Sequence, residues 1–279
     1  MAESEGLGGT ATGAGNILQR PLALKKKLRA GGIALGAWLT ITDGSAAEIL
    51  GRTGFDFLII DTEHGGAWDL KEVHGMLMAL NGTDTVPIVR APWNDHVRIK
   101  QLLDLGVEGI LAPMVNSFAE CRDLVAACRY PPQGRRGVGP RRASNYYRNA
   151  EAYFATANDA IFVMPQIEHI ATIDVLDDYL AVPGIDAVAI GPNDMAGTAG
   201  LFGNRKHPKI EGAVDTICRK GKERNIPVFL GINTPAGEQR GWVEKGVRIL
   251  TVTGDVDLLA SGAHGALQAT RKALAGGEA

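Results

Sequence analysis

Eight short apolar runs recur along the chain, at 33–41, 56–61, 86–90, 108–112, 161–167, 185–190, 227–232 and 248–253. Each is followed by a stretch with helical spacing, near 44–53, 69–80, 95–104, 117–128, 171–181, 209–224, 235–245 and 256–274. The runs are continuous rather than alternating, as in Phe57-Leu58-Ile59-Ile60 and Ala187-Val188-Ala189-Ile190. Strands buried on both faces of a parallel sheet read this way. Helix starts carry capping residues: Asp43 or Ser45, Asp69, Asn94 or Asp95, and Ser117 with Glu120 three positions on. Gly54, Gly106, Gly184 and Gly246 each stand shortly before a strand, where a helix must stop and the chain turn.

Eight strand–helix units of this size predict a TIM (β/α)8 barrel in a single domain, residues 17–279. A doubly wound open sheet is the alternative, but no Gly-x-Gly-x-x-Gly follows the first strand. Ahead of the barrel, Ile17–Ala30 reads as a short amphipathic helix whose Lys25-Lys26-Lys27 forms a solvated face. Residues 1–16, mainly Gly, Ala, Ser, Thr and Glu, read as a disordered tail. The long connection Pro131–Asn149 carries five arginines and implies a functional loop or an interface.

Composition narrows the function. A net charge of -2 argues against a nucleic-acid partner. No apolar run approaches the ~20 residues that span a bilayer, and the N-terminus has no signal-peptide core. Cys121, Cys128 and Cys218 lack metal-ligand spacing. The first two fall on one predicted helix ~10 Å apart, too far for a disulfide. Buried thiols in a reducing cytoplasm are expected.

In such a barrel the C-terminal strand ends line the catalytic mouth. The polar residues there are Thr42, Asp61/His64, Arg90, Asn116, Gln166/Glu168, Asn193/Asp194, Asn233 and Asp255. Glu168 and Asp194 come from adjacent strands. Two hard oxygen ligands suit Mg²⁺ or Mn²⁺ with water and substrate completing the shell; a helix cap plus a salt bridge is the structural alternative. His64, beside two acids and two glycines, is a candidate acid/base. Arg90 can stabilise oxyanion charge or pair with Asp61 or Glu63. Gly191-Pro192-Asn193 can bring backbone N–H groups near a substrate carboxylate. Trp38, Trp68 and Trp93 can wall a pocket or fill core. His169 neighbours Glu168 and is a candidate support for it. Lys71, Lys100 and Lys245 fall on helices, so no strand-end lysine offers a Schiff base.

Several linked stretches closely resemble the metal-dependent, class II pyruvate aldolases of the HpcH/HpaI aldolase and citrate lyase family. They are Gly36-Ala37-Trp38, Phe55 through His64, Val89-Arg90-Ala91-Pro92-Trp93-Asn94-Asp95 and Ile99 through Gly106, then Arg129 through Gly137, Pro165-Gln166-Ile167-Glu168 and Ile190-Gly191-Pro192-Asn193-Asp194. The similarity runs from about Gly36 to Gly265. It implies a divalent metal (Mg²⁺, Mn²⁺ or Co²⁺) on Glu168 and Asp194, and His64 as acid/base with Asp104 tuning it. Arg90 is implied as enolate stabiliser, Gln166 as substrate contact and Asp61 as a carboxylate supporting them from behind. It also implies a homo-oligomer, trimer or hexamer, with the last helix exchanged between subunits. Thr62-Glu63-His64 departs from the Gly-Glu-His of many bacterial members. With Gly65-Gly66-Ala67-Trp68 it also resembles a fungal branch that decarboxylates oxaloacetate to the same enolate.

The expected reaction is reversible cleavage of a 4-hydroxy-2-oxo acid to pyruvate and an aldehyde. A coenzyme A thioester lyase and a non-catalytic organic-acid binder are the rival readings.

Overall fold

The computed structural model describes residues 18–275; the expected tail, 1–16, lies outside them. Eight parallel strands close into a barrel in chain order. They are β1 (Ala34–Leu39), β2 (Phe57–Asp61), β3 (Val86–Arg90), β4 (Gly109–Ala112), β5 (Phe162–Ile167), β6 (Val188–Ile190), β7 (Val228–Asn233) and β8 (Val247–Gly254). The helices are α1 (Gln19–Arg29), α2 (Gly44–Arg52), α3 (Leu70–Ala79), α4 (His96–Asp104), α5 (Phe118–Cys128), α6 (Ala150–Ala160), α7 (Leu176–Leu180), α8 (Pro192–Thr198), α9 (Pro208–Glu223), α10 (Gln239–Lys245) and α11 (Asp255–Ala275). The TIM barrel expectation holds, and the open sheet is excluded by the β1–β8 pairing, Ala34 opposite Ile249.

Strand periodicity of two divides the core. One set, including Phe57, Ile59, Val86, Ile88, Phe162, Met164, Ala189 and Phe229, fills the barrel interior. The alternate set, including Leu58, Ile60, Val89, Ile110 and Val163, faces the helices. The four expected caps form: Asp43 accepts from Ser45 N–H, Asp69 makes a capping box with Glu72, and Asp95 and Ser117 accept from Arg98 and Glu120 N–H. Gly54, Gly106, Gly184 and Gly246 all have φ between +93° and +117°, which only glycine adopts without strain.

One carboxylate reinforces the β1–β8 closure. Asp255 Oδ2 accepts from the N–H groups of Thr40 (2.8 Å) and Ile41 (2.7 Å), and its Oδ1 accepts from the Thr40 hydroxyl (2.7 Å).

Two expectations about helices change. The lysine face of α1 is not all solvated. Leu24 and Leu28 pack into the interior cluster, so α1 plugs the floor of the barrel. Lys25, on that buried side, pairs with Asp186 at 2.9 Å and donates to the carbonyls of Asp159 (2.6 Å) and Ile161 (3.0 Å). Burial lowers its pKa, against the pull of Asp186. In addition, α6 and α8 occupy stretches with no predicted element, and 170–175 is a 3₁₀ turn ahead of the short α7.

Candidate active site

The interior rows of the barrel lead directly into its mouth. Phe57 and Ile59 are followed two residues on by Asp61; Val86 and Ile88 by Arg90; Phe162 and Met164 by Gln166; Ala189 by Gly191. One pleat above the apolar packing, the same inward direction therefore carries the polar groups. They line a cavity of about 560 Å³ with Trp38, Thr40, His64, Pro192, Asn193, Asp194, Arg205, Asn233 and Asp255.

Arg90 is fixed on one side by two acids. Its Nε and Nη2 donate to Asp61 Oδ1 (2.8 Å) and Oδ2 (2.6 Å), and Nη1 lies 3.2 Å from Glu63 Oε2. The Trp38 ring lies 4.6 Å from the guanidinium carbon, and its indole N–H donates to Thr251 (3.1 Å). Asp61 Oδ1 also accepts from the N–H groups of Glu63 (3.1 Å) and His64 (3.3 Å), which folds the Thr62–His64 loop over the barrel rim. Burial opposes the charge on Asp61, but Arg90 and these amides together hold its carboxyl below the usual range. His64 projects into the mouth with 66% of its side chain exposed, its Nε2 3.8 Å from Glu63 Oε2.

Glu168 is buried and held on both oxygens. Met114 N–H donates to Oε2 at 2.7 Å, and the Gln166 amide donates to Oε1. Gly191 packs against it so closely that a Cβ there would stand 2.5 Å from Oε1. Burial, reinforced by Glu63 and Asp194, pushes the Glu168 carboxyl up to about 7 against those two hydrogen bonds. Glu63 is likewise pushed up to about 7 by burial, with Arg90 opposing and Asp61 and Asp194 adding to the rise. The mouth thus gathers acids with no protein cation on Glu168 or Asp194 among the described residues. Gln166 Oε1 is buried without a partner. A hard divalent ion between Glu168 and Asp194 fits this donor set. No three His, Cys, Asp or Glu side chains among the described residues converge as a ready cage, so water and substrate would complete the shell.

Several sequence candidates lie elsewhere. Asp104 ends α4 and its carboxylate accepts from Arg136 Nη2 at 2.8 Å. It does not line this chain's mouth, because α4 runs from the mouth back to the floor. Gly191 N–H donates to Ile167 O (3.0 Å) and Pro192 opens α8, so the Gly191-Pro192-Asn193 turn contributes less free backbone than expected. His169 caps the turn at 170–175 by accepting from Ala171 N–H (3.1 Å). Trp68 and Trp93 are exposed, neither core nor mouth. Thr42 and Asn116 do not line the cavity, whereas Thr40, Arg205 and Asp257 do, without having been anticipated. The three cysteines are free and buried, and burial pushes their thiols up to about 11 or 12. No described helix is long and apolar enough to cross a membrane.

A closed (β/α)8 barrel with an acidic pair and an arginine at its strand ends defines an enzyme-like site for a small anionic substrate. The chain belongs to the HpcH/HpaI aldolase/citrate lyase family, whose model matches residues 34–261. It is 40% identical over 245 residues to the 4-hydroxy-2-oxo-heptane-1,7-dioate aldolase of Salmonella paratyphi C, covering 87% of this chain and 92% of that one. It is 38% identical to the hydroxypyruvate/pyruvate aldolase of Roseobacter denitrificans, covering 84% and 91%. Among solved structures it resembles an HpcH/HpaI family protein from Burkholderia cenocepacia, with TM-score 0.84 and 31% identity over 89% of this chain and 99% of that one.

Proposed function

We propose that the chain is a carbon–carbon lyase that reversibly cleaves a 4-hydroxy-2-oxo acid to pyruvate and an aldehyde. The observation carrying this reading is the pairing of an uncompensated carboxylate couple, Glu168 and Asp194, with an arginine already oriented at the same mouth. Names of the relatives at 40% and 38% identity accord with it.

Glu168 and Asp194 would hold a divalent metal, Mg²⁺, Mn²⁺ or Co²⁺. When bound, such an ion supplies Lewis acidity for polarising a 2-oxo acid. The chain's own groups account for the remaining chemistry. The Gln166 amide, anchored on Glu168, keeps its buried carbonyl and its nitrogen beside the 2-oxo acid end. His64 takes the proton of the C4 hydroxyl as the C3–C4 bond breaks. The bonding pair moves into the C2–C3 unit, the aldehyde departs, and negative charge collects on the C2 oxygen. Arg90, fixed by Asp61, stabilises that enolate charge without reorganising. His64 then returns a proton to C3, giving pyruvate. Among the described residues the mouth lining includes no lysine.

The same reading places the enzyme in the cytoplasm and in a homo-oligomer. Val256, Leu258, Leu259 and Leu267 are exposed along α11, more apolar surface than a solitary helix usually presents. The test is a panel of aldehydes with pyruvate after exhaustive chelation and metal restoration, read by product mass. Aldol products that vanish on chelation and return with Mn²⁺ are expected. Full activity without metal refutes the metal assignment, and no product with any aldehyde refutes the aldolase reading.

A further inference from the structure

Six described residues other than glycine have positive φ: Leu18, Met114, Asn145, Tyr146, Tyr147 and Asn225. Met114 (φ +52°) alone among them follows the C-terminal end of a barrel strand, two residues past β4. A side chain in that conformation costs energy and persists only where its surroundings impose it.

The surroundings here are a slipped ladder. Strand β4 pairs with β5 in register from Gly109 opposite Phe162 to Ala112 opposite Pro165, and Phe162 N–H donates to Glu108 O at 2.9 Å. Continued by that alternation, the N–H facing Gln166 O would belong to Met114. Val115 N–H takes that carbonyl instead, at 3.2 Å. One residue is therefore extra, as in a β-bulge, whose left-handed position glycine usually fills. The slip releases the Met114 N–H, which donates to Glu168 Oε2 at 2.7 Å. The segment beyond is clamped. Val115 is buried in the core, and Asn116 Nδ2 donates to Met114 O at 3.2 Å. Asn116 N–H donates to Glu120 Oε2 (2.8 Å), and the Thr172 hydroxyl donates to Asn116 O (3.1 Å). The Met114 side chain turns elsewhere. It lines a small cleft with Trp93, Glu120 and Arg135, not the mouth.

We propose that Met114 is a positioning residue: its left-handed backbone, rather than its side chain, aims the N–H that fixes Glu168 Oε2 for a divalent metal. This rests on the reading of Glu168 as a ligand and adds what holds that ligand in place. With an extended or right-handed backbone at 114, the N–H turns away and the Glu168 carboxylate keeps only the Gln166 amide.

The experiment compares wild type, Met114→Gly, Met114→Ala, Met114→Val and Glu168→Ala as full-length proteins. Metal-free protein is titrated with Mn²⁺ by calorimetry, and thermal unfolding is measured alongside. Glycine adopts positive φ freely, and alanine meets the same backbone penalty as methionine, so both should bind Mn²⁺ within about twofold of wild type although the thioether is gone. Valine, branched at Cβ, is an outlier at positive φ. Met114→Val should bind Mn²⁺ about 10- to 100-fold more weakly while folded, the scale of losing a partner that orients a ligand. If Met114→Val does not fold, Asn116→Ala decides: releasing Met114 O should weaken Mn²⁺ binding about fivefold, the scale of one neutral hydrogen bond. Wild-type affinity in folded Met114→Val, or in Asn116→Ala where that variant decides, overturns the proposal. Binding by Met114→Gly as weak as that of Met114→Val also overturns it, because the side chain would then be responsible. Glu168→Ala should lose Mn²⁺ binding; wild-type affinity there removes the ligand reading itself, and this proposal with it.

Discussion

Replacing Gly191 with alanine puts a methyl carbon 2.5 Å from Glu168 Oε1, 2.6 Å from its Cγ and 3.0 Å from Gln166 Nε2. The backbone at Gly191, φ -100° and ψ 83°, is open to alanine, so the clash alone decides the effect. Ordinary contact begins near 3.4 Å, so the carboxylate must retreat by about 1 Å. Retreat is opposed on both oxygens, by Met114 N–H at 2.7 Å and by the Gln166 amide. Metal–oxygen distances tolerate only about ±0.2 Å. Displacing Glu168 should therefore weaken Mn²⁺ binding on the order of 10- to 100-fold, and overpacking should cost about 1–3 kcal/mol of stability. Gly197→Ala is the control: it lies on α8, the helix that Gly191 precedes, with its nearest neighbour 4.0 Å away, and should change neither quantity adversely. Calorimetric Mn²⁺ titration and thermal unfolding of the three proteins supply the measurements. Wild-type Mn²⁺ affinity in Gly191→Ala, with the variant folded, refutes the assignment of Glu168 as a ligand.

Arg90→Ala should lower kcat by ~100-fold, about 3 kcal/mol of lost oxyanion stabilisation, and steady-state turnover checks it; wild-type-like rates would remove the enolate role. In metal-free protein, Glu168 titrates near 7 against 4.5 for an ordinary glutamate, so the folded state holds the extra proton between those values. Stability contributed by that proton is complete below about 4.5 and is lost as pH rises through about 7, by up to ~3 kcal/mol. Urea titrations with chelator present should show this decline, to which Glu63, also pushed up to about 7, adds in the same interval; Glu168→Gln should shrink it without abolishing it, and Mn²⁺ affinity should rise across the same interval. Gly212→Ala in the exposed face of α9, where a Cβ meets nothing within 4 Å, should stabilise by about 0.5–1 kcal/mol, read as a higher unfolding midpoint.

The barrel was legible because burial on both faces makes each strand a continuous apolar run, and a residue ending such a run has a defined place in the fold. Asp61, Arg90, Gln166, Glu168 and Asp194 were found on that rule, and the structure gathers them. What escaped depended on weak patterns or distant partners. Helix α6 buries only Tyr153, Ala157 and Ala160, too little apolar bulk for a visible stripe. Helix α8 opens Gly-Pro, which reads as a turn until proline's fitness for the first helical position is considered. The partners of Asp104 and Lys25 lie 32 residues and more than a hundred residues away, and no local spacing announces such pairings. Glu63 stood in view between Asp61 and His64. Its contact with both Arg90 and His64 follows from how Asp61 folds the loop. Arg205 had no sequence signal at all.

The clasp between Asp255 and Thr40 joins positions 215 residues apart. A ribosome delivers β1 early and β8 almost last, so the first strand waits through nearly the whole of translation with one edge unmatched. Until then the nascent sheet is an open ribbon whose two margins can recruit other chains. Closure is consequently a late event on which the earlier strands depend, and a transcript cut short before Gly254 should yield aggregate rather than a smaller working enzyme.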